Sequence, residues 1–152
     1  MPSPPPRFRS KTVTAALAFL FGSLGAHRFY LHGLRDPAGW AHLLGTLLGV
    51  PGLLLLAHTE RASLLGWALA APGAISLLAA FLAAIVYGLR ADEKWDAQFN
   101  ASSDRHSQSG WTVIFVVIFS LLIGAFLLLT SLALSFQTYF ESQVQAAKEL
   151  SQ

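Results

Sequence analysis

The sequence predicts an all-α membrane protein with three or four hydrophobic helices, the first short and ending in a glycine-rich HRFYL turn. Three observations predict it. Residues 37–57, 62–89 and 107–140 contain no Asp, Glu, Lys or Arg, and each stretch exceeds the roughly 18 apolar residues that mark a transmembrane helix. Hydrophobic residues make up 54% of the chain and charged residues 12%, about half the charged share of soluble proteins. A further apolar stretch, residues 13–26, is shorter and runs into FGSLGAHRFYLHG (residues 21–33), which holds Gly22, Gly25, Gly33, His27, His32 and Arg28.

The elements follow in chain order. Residues 1–12, MPSPPPRFRSKT, carry four prolines with Arg7, Arg9 and Lys11, a composition that predicts a disordered basic arm. The same arm could open a signal peptide with residues 13–24 as its apolar region, although further hydrophobic segments follow. Segment 1, residues 13–26, would be about 21 Å long as a helix, short of the roughly 30 Å hydrocarbon core. Extending it would bury Arg28, at about 2.5–3.5 kcal/mol on insertion scales unless the side chain snorkels to the headgroups.

Segment 2, residues 37–57, opens with Pro37 at a favourable first helical turn, with Trp40 near the interface. Pro51-Gly52 is expected to kink or break it, and Pro72-Gly73 to do the same to segment 3, residues 62–89. Trp67 and Tyr87 stand about 30 Å apart along a helix, one for each membrane face. Residues 91–110 form a polar loop containing DEKWD. Residues 111–136 make the clearest span: 16 of residues 113–134 are Leu, Ile, Val or Phe, favouring insertion by roughly 5–10 kcal/mol. Residues 137–152 read as a frayed, solvated helical tail.

Lysine and arginine placement separates two topologies. If all four segments cross, the basic residues divide five to five; if segment 1 enters and returns, they divide eight to two. The positive-inside rule favours the second, and the four-span arrangement stays open at this level. It also places the N-terminal arm in the cytoplasm, for a multi-pass protein of the plasma or inner cell membrane.

Residues 11–33, KTVTAALAFLFGSLGAHRFYLHG, resemble the TM2 domain family. That pattern is a basic residue, a short apolar helix, Gly-x-x-Gly, then a small residue, His-Arg-Phe-Tyr-Leu and glycine. The matching positions are Gly22, Gly25, His27, Arg28, Phe29, Tyr30, Leu31 and Gly33. The resemblance is clear over residues 11–57 and looser to about residue 90. It implies a membrane domain over residues 13–90, with paired helices joined by a short linker that carries the motif. Two departures stand out: His32 intervenes before the glycine, and segment 3 lacks the aspartate that the family commonly carries within its later helix. The family supplies architecture rather than a reaction.

Physically, Gly22 and Gly25 suit a turn or a close helix approach. Gly45 and Gly49 have Gly-x-x-x-Gly spacing and could face a neighbouring helix, or reflect a glycine-rich chain by chance. Phe29 and Tyr30 suit the headgroup level, with Arg28 on a lipid phosphate or on carbonyls freed at the turn. This reads as an interfacial turn, with a partner or ligand site as the other reading. His42 and His58 stand 16 positions apart near opposite ends of segment 2, so they do not suit paired haem or metal ligation. DEKWD lacks the glycine of a cation-binding loop and reads as a solvated helix end.

No converging catalytic set or phosphate loop is present, no cysteine is available for disulfides or thiolate sites, and no basic stripe with interleaved aromatics suggests nucleic acid. The expectation is a non-enzymatic integral membrane protein without cofactor or metal, acting as a structural or regulatory partner in the membrane. Its partners would be the bilayer and another membrane protein or a second copy of the chain. The alternative is an oligomeric channel or transport accessory subunit, against which stands the lack of intramembrane charge along the spans.

Overall fold

A computed structural model describes residues 8–151. Its helices are α1 (Lys11–Phe21), a 3₁₀ turn (Gly22–Leu24), α2 (Ala26–His32), α3 (Pro37–His58), α4 (Leu64–Leu89), α5 (Asp92–Phe99) and α6 (Trp111–Leu150). No strand occurs among the described residues. Of these helices, α3, α4 and α6 are long and apolar enough to cross a membrane. Their outward faces are leucine, isoleucine and phenylalanine, as in Leu47, Ile75, Leu122 and Phe126, all more than half exposed. Lipid is the solvent those side chains suit.

The central helix is α4, which packs against α1, α3 and α6. Its inward face is built of small residues: Gly66, Ala70, Ser76, Ala80, Ala84 and Gly88 are buried. Small residues let helices approach closely in lipid, where van der Waals packing replaces the hydrophobic drive. The Gly45–Gly49 pair does face a neighbour. A Cβ on Gly45 would lie 2.8 Å from the Pro72 carbonyl oxygen, and one on Gly49 would lie 2.6 Å from the Gly73 Cα.

Neither Pro51 nor Pro72 breaks its helix, since α3 and α4 run through both. Each proline frees one carbonyl, but a neighbouring helix can hold the backbone together on either side of it. The glycine beside each proline lies at the contact: Gly52 abuts the backbone of Leu69 and Ala70, and Gly73 abuts Gly49.

Two sequence expectations need correction at the polar end. Residues 1–7 of the basic arm lie outside the described residues, but residues 8–12 are integrated into the fold. Ser10 caps α1, and its side chain accepts from the Val13 amide. Lys11 is 3% exposed and bonds both the Arg90 carbonyl at 2.7 Å and Asp92 Oδ1 at 2.6 Å. The loop over residues 91–110 contains α5, and DEKWD is not a solvated helix end. Trp95 is fully buried, meets Tyr87 edge-on and Phe99 at a tilt, and its indole donates to the Arg9 carbonyl at 2.8 Å. Two features make the helix. Asp92 and Glu93 favour its N-terminus, and Trp95 and Phe99 stand four apart on one face. Burial pushes the Asp92 carboxyl up, but bonds from Lys11 and Ser109 outweigh it and hold the group below the usual carboxylate range. The polar C-terminal stretch, expected as a frayed extension, continues α6 as a regular helix to Leu150.

Candidate functional site

The expected turn is divided between two structures. The chain reverses at Gly22–Gly25, and His27–Leu31 then lie on a separate short helix, α2, rather than in the turn itself. Gly25 has φ +76, a left-handed conformation that glycine adopts without steric cost, and its α-carbon packs against the Gly39 backbone. Its carbonyl accepts from the amides of Arg28 and Phe29, both at 3.0 Å, which starts α2. Gly33, at φ +81, ends α2 with its amide on the Phe29 carbonyl.

Helix α2 brings the chain back beside its own start. The Tyr30 hydroxyl accepts from the Ser10 amide at 3.0 Å, and the Arg9 guanidinium donates to the Tyr30 carbonyl. The Arg9 backbone is clamped in turn by Asn100, whose Oδ1 accepts from the Arg9 amide at 2.7 Å. Helices α1 and α2 therefore form a hairpin whose two ends meet under α5.

The tip of this hairpin is held by polar groups from the long helices. The Ser23 carbonyl accepts from Thr46 Oγ1 at 2.6 Å and from Ser76 Oγ at 3.1 Å. Ser76 Oγ also lies 3.1 Å from the His42 carbonyl and 2.9 Å from His42 Nδ1. With one hydroxyl proton, Ser76 can serve both carbonyls only in a shared geometry, while the His42 Nδ1–H tautomer would donate to it. Thr46 stands nine positions past Pro37, about 13 Å along α3. A break between α-helices within a hydrocarbon layer needs its freed carbonyls satisfied by protein, and these two hydroxyls supply that for Ser23. Replacing Ser76 by alanine is expected to cost about 1–3 kcal/mol, the usual penalty for orphaning a buried polar group. Thermal unfolding in detergent reads it, and a midpoint equal to wild type would refute the brace.

The partner the fold gives Arg28 is a carboxylate that sequence reasoning did not name. Arg28 forms a two-point ion pair with Asp36, Nε to Oδ2 at 2.7 Å and Nη2 to Oδ1 at 3.0 Å. Asp36 also caps α3, accepting from the Gly39 amide at 3.2 Å. The Arg28 hydrogen bonds, reinforced by its charge, hold the Asp36 carboxyl below the usual range. The pair thus locks α2 to the start of α3.

The remaining motif residues serve packing. Phe29 meets Trp40 edge-on at 5.5 Å and abuts Gly39, which has no room for a side chain there. Leu31 is buried. Gly22 abuts Ala80, with a Cβ there only 2.5 Å from that methyl. His27 is 1% exposed, meets His42 edge-on at 5.2 Å and Tyr87 at 5.9 Å, and has no hydrogen-bond partner for Nδ1 among the described residues. His32, the insertion relative to the motif pattern, meets Phe99 of α5 edge-on at 6.2 Å.

Sequence reasoning weighed His42 only against His58 and missed that it meets His27; exposed His58 stands apart at the far end of α3. It also missed Asp36, Thr46 and Ser76. Asp36 before Pro37 carried a helix-cap signal, and Thr46 and Ser76 are isolated polar residues within charge-free stretches. Neither signal names a partner.

No curated protein and no solved structure matches the chain. The family model described as TM2 domain matches residues 7–58. That match takes in the hairpin, the Arg28–Asp36 lock and all of α3, while α4, α5 and α6 lie beyond it. Over residues 7–58, about a third of its length, the chain is similar to the TM2 domain family.

Proposed function

We propose that this chain crosses the membrane three times, through α3, α4 and α6, with the α1–α2 hairpin entering and returning on the cytoplasmic side of the cell membrane. Its function in this reading is non-enzymatic: a structural or regulatory partner for other membrane components. The observation that carries it is the meeting of Arg9 and Ser10 with Tyr30, which returns the hairpin to the side it left. Eight of the ten lysines and arginines then share that side, Arg61 and Lys148 the other, as the positive-inside rule asks of a cytoplasmic face. The non-catalytic role is supported by the way the motif spends its polar groups. Arg28 is engaged by Asp36, and the Ser23 carbonyl by Thr46 and Ser76.

Single cysteines test the topology cleanly, because the chain has none of its own. With cysteine at Ser3, Ser103 or Ser151, a membrane-impermeant maleimide on intact cells is expected to place Ser3 and Ser103 on one side and Ser151 on the other. Ser3 and Ser151 sharing a side would make segment 1 a fourth crossing. Reconstituted protein that carries ions across liposomes, with flux abolished by His42→Ala, would replace the partner reading with transport.

A further inference from the structure

A hairpin that reverses half-way leaves the opposite half of the bilayer without a helix in its place. Beneath its tip lies an apolar groove of about 620 Å³ between α3, α4 and α6, within the ~300–1,000 Å³ range of small-ligand sites. Ser23 and Thr46 stand at its inner end, Leu53 and Ala74 along its walls, and Arg61 and Trp67 at its outer end. From Thr46 to Ala57 it follows α3 over 12 residues, a rise of about 16 Å. That is half the ~30 Å hydrocarbon core, the depth of one leaflet.

The outer end opens into a polar mouth that shares Arg61, Trp67 and Ser135 with the groove and adds Glu60, Tyr139 and Glu141. The backbone there is unusual. Glu60 and Arg61 both have positive φ, 48 and 71, a conformation costly for residues with side chains. It is held by the Arg61 amide on the Leu56 carbonyl at 2.8 Å and by the Trp67 indole on the Arg61 carbonyl at 3.0 Å. The turn presents the Arg61 guanidinium to Glu141 at 3.7 Å, longer than the ~2.7–2.9 Å of a charge-assisted hydrogen bond. Both charges keep capacity for another partner. Thr138 Oγ1 is buried in the mouth without a hydrogen-bond partner.

We propose that this groove is a binding site for one zwitterionic phospholipid of the leaflet opposite the basic arm, with a primary ammonium headgroup. One acyl chain lies under the hairpin tip. The phosphate meets Arg61 and the Thr138 hydroxyl, and the ammonium meets Glu141 and Glu60 beside the Trp67 and Tyr139 rings. A cation and two carboxylates side by side complement a headgroup carrying both signs. An anionic headgroup would satisfy Arg61 and place its remaining surface against two acids. This proposal rests on the half-depth hairpin of the three-crossing reading.

The test reconstitutes the full chain in vesicles of equal parts phosphatidylethanolamine and phosphatidylglycerol, re-extracts it in mild detergent and counts bound lipid by native mass spectrometry. Wild type is expected to retain one phosphatidylethanolamine. Arg61→Gln and Glu141→Gln, at exposed or half-exposed positions, are each expected to lower that retention about tenfold, through loss of a charged hydrogen bond. Ala74→Phe, which fills the groove, is expected to abolish it. Equal retention of both lipids, no retained lipid on wild type, or retention unchanged in the charge variants overturns the proposal. Disulfide-linked dimers of Ala74→Cys would assign the groove to a second copy and also overturn it. Maleimide labelling of Ser3→Cys and Ser103→Cys in the same vesicles separates the two failures. Same-side labels with no lipid selectivity sink the lipid site alone, and opposite-side labels sink the hairpin reading on which it rests.

Discussion

Gly49→Leu is expected to eliminate the folded protein. The Cβ of any residue at position 49 would lie 2.6 Å from the Gly73 Cα and 3.3 Å from its amide nitrogen, and backbone cannot rotate out of the way as a side chain can. The α3–α4 interface would have to open along its length, separating Gly45 from Pro72 and Gly52 from Ala70 as well. Gly49→Ala adds a single methyl and is expected to cost about 1–3 kcal/mol, the usual range for overpacking. Leucine adds three further carbons at the same point. Size-exclusion in detergent should show wild-type and Gly110→Ala chains as sharp monodisperse peaks, because nothing lies within 4 Å of a Cβ at Gly110. Gly49→Ala should elute similarly with a lower thermal midpoint, and Gly49→Leu should aggregate. A folded Gly49→Leu of normal stability would mean that α3 and α4 do not pack through this glycine seam.

The second large effect concerns the Arg28–Asp36 lock. Asp36 is 8% exposed and Arg28 29%, so Asp36→Ala leaves a half-buried guanidinium without its two-point partner and also removes the cap of α3. A loss of about 3 kcal/mol is expected, the lower end of the range for breaking a buried pair, because Arg28 retains some contact with its surroundings outside the protein. Arg28→Ala should cost at least as much, since it strands the more buried charge. If the pair acts as a unit, the double variant will lose less than the sum of the two single losses. Simple additivity would mean that the contact carries no coupling.

The same pair makes a pH prediction. The folded-state pKa of Asp36 is depressed, chiefly by the Arg28 hydrogen bonds. Its contribution to stability is therefore present above the ordinary carboxylate value of about 3.9 and is lost as pH falls through the lower folded value. The thermal midpoint of wild type should drop through that acid window relative to Asp36→Asn, and the two curves should run parallel above about pH 5. Parallel curves at every pH would refute the linkage.

What was legible in the linear chain was whatever depends on length and local composition. Three charge-free stretches mark α3, α4 and α6, because a bilayer demands some 20 apolar residues from any helix that crosses it. The shortness of segment 1 against that length set it apart from the other three and left open whether it crosses or returns. The GxxGxHRFYL tract was recognisable because its glycines and motif residues sit within 12 positions, from Gly22 to Gly33. Helix α5 was less visible. Its eight residues are mostly polar, and only Trp95 and Phe99 mark an inward face whose target, the Arg9 backbone, lies 86 positions away from Trp95.

The choice of partners was not legible, since a residue's chemistry says what kind of group it needs and not which one it meets. Arg28 needed an anion or free carbonyls; only the fold of α2 against α3 decided that Asp36 would supply the charge. The Ser23 carbonyl needed a donor, and helix register alone brought Thr46 and Ser76 to it from 23 and 53 positions away. The prolines followed the same logic: Pro51 and Pro72 have a local tendency to end a helix, and the contacts of Gly52 and Gly73 across the interface override it. Sequence by itself determined that this chain carries three helices fit for a membrane and a first segment too short to match them, because burial in lipid and chain length act on each segment alone. Tertiary structure decided which groups close the hairpin, because hydrogen bonds and ion pairs are set by distances that exist only after the helices have packed.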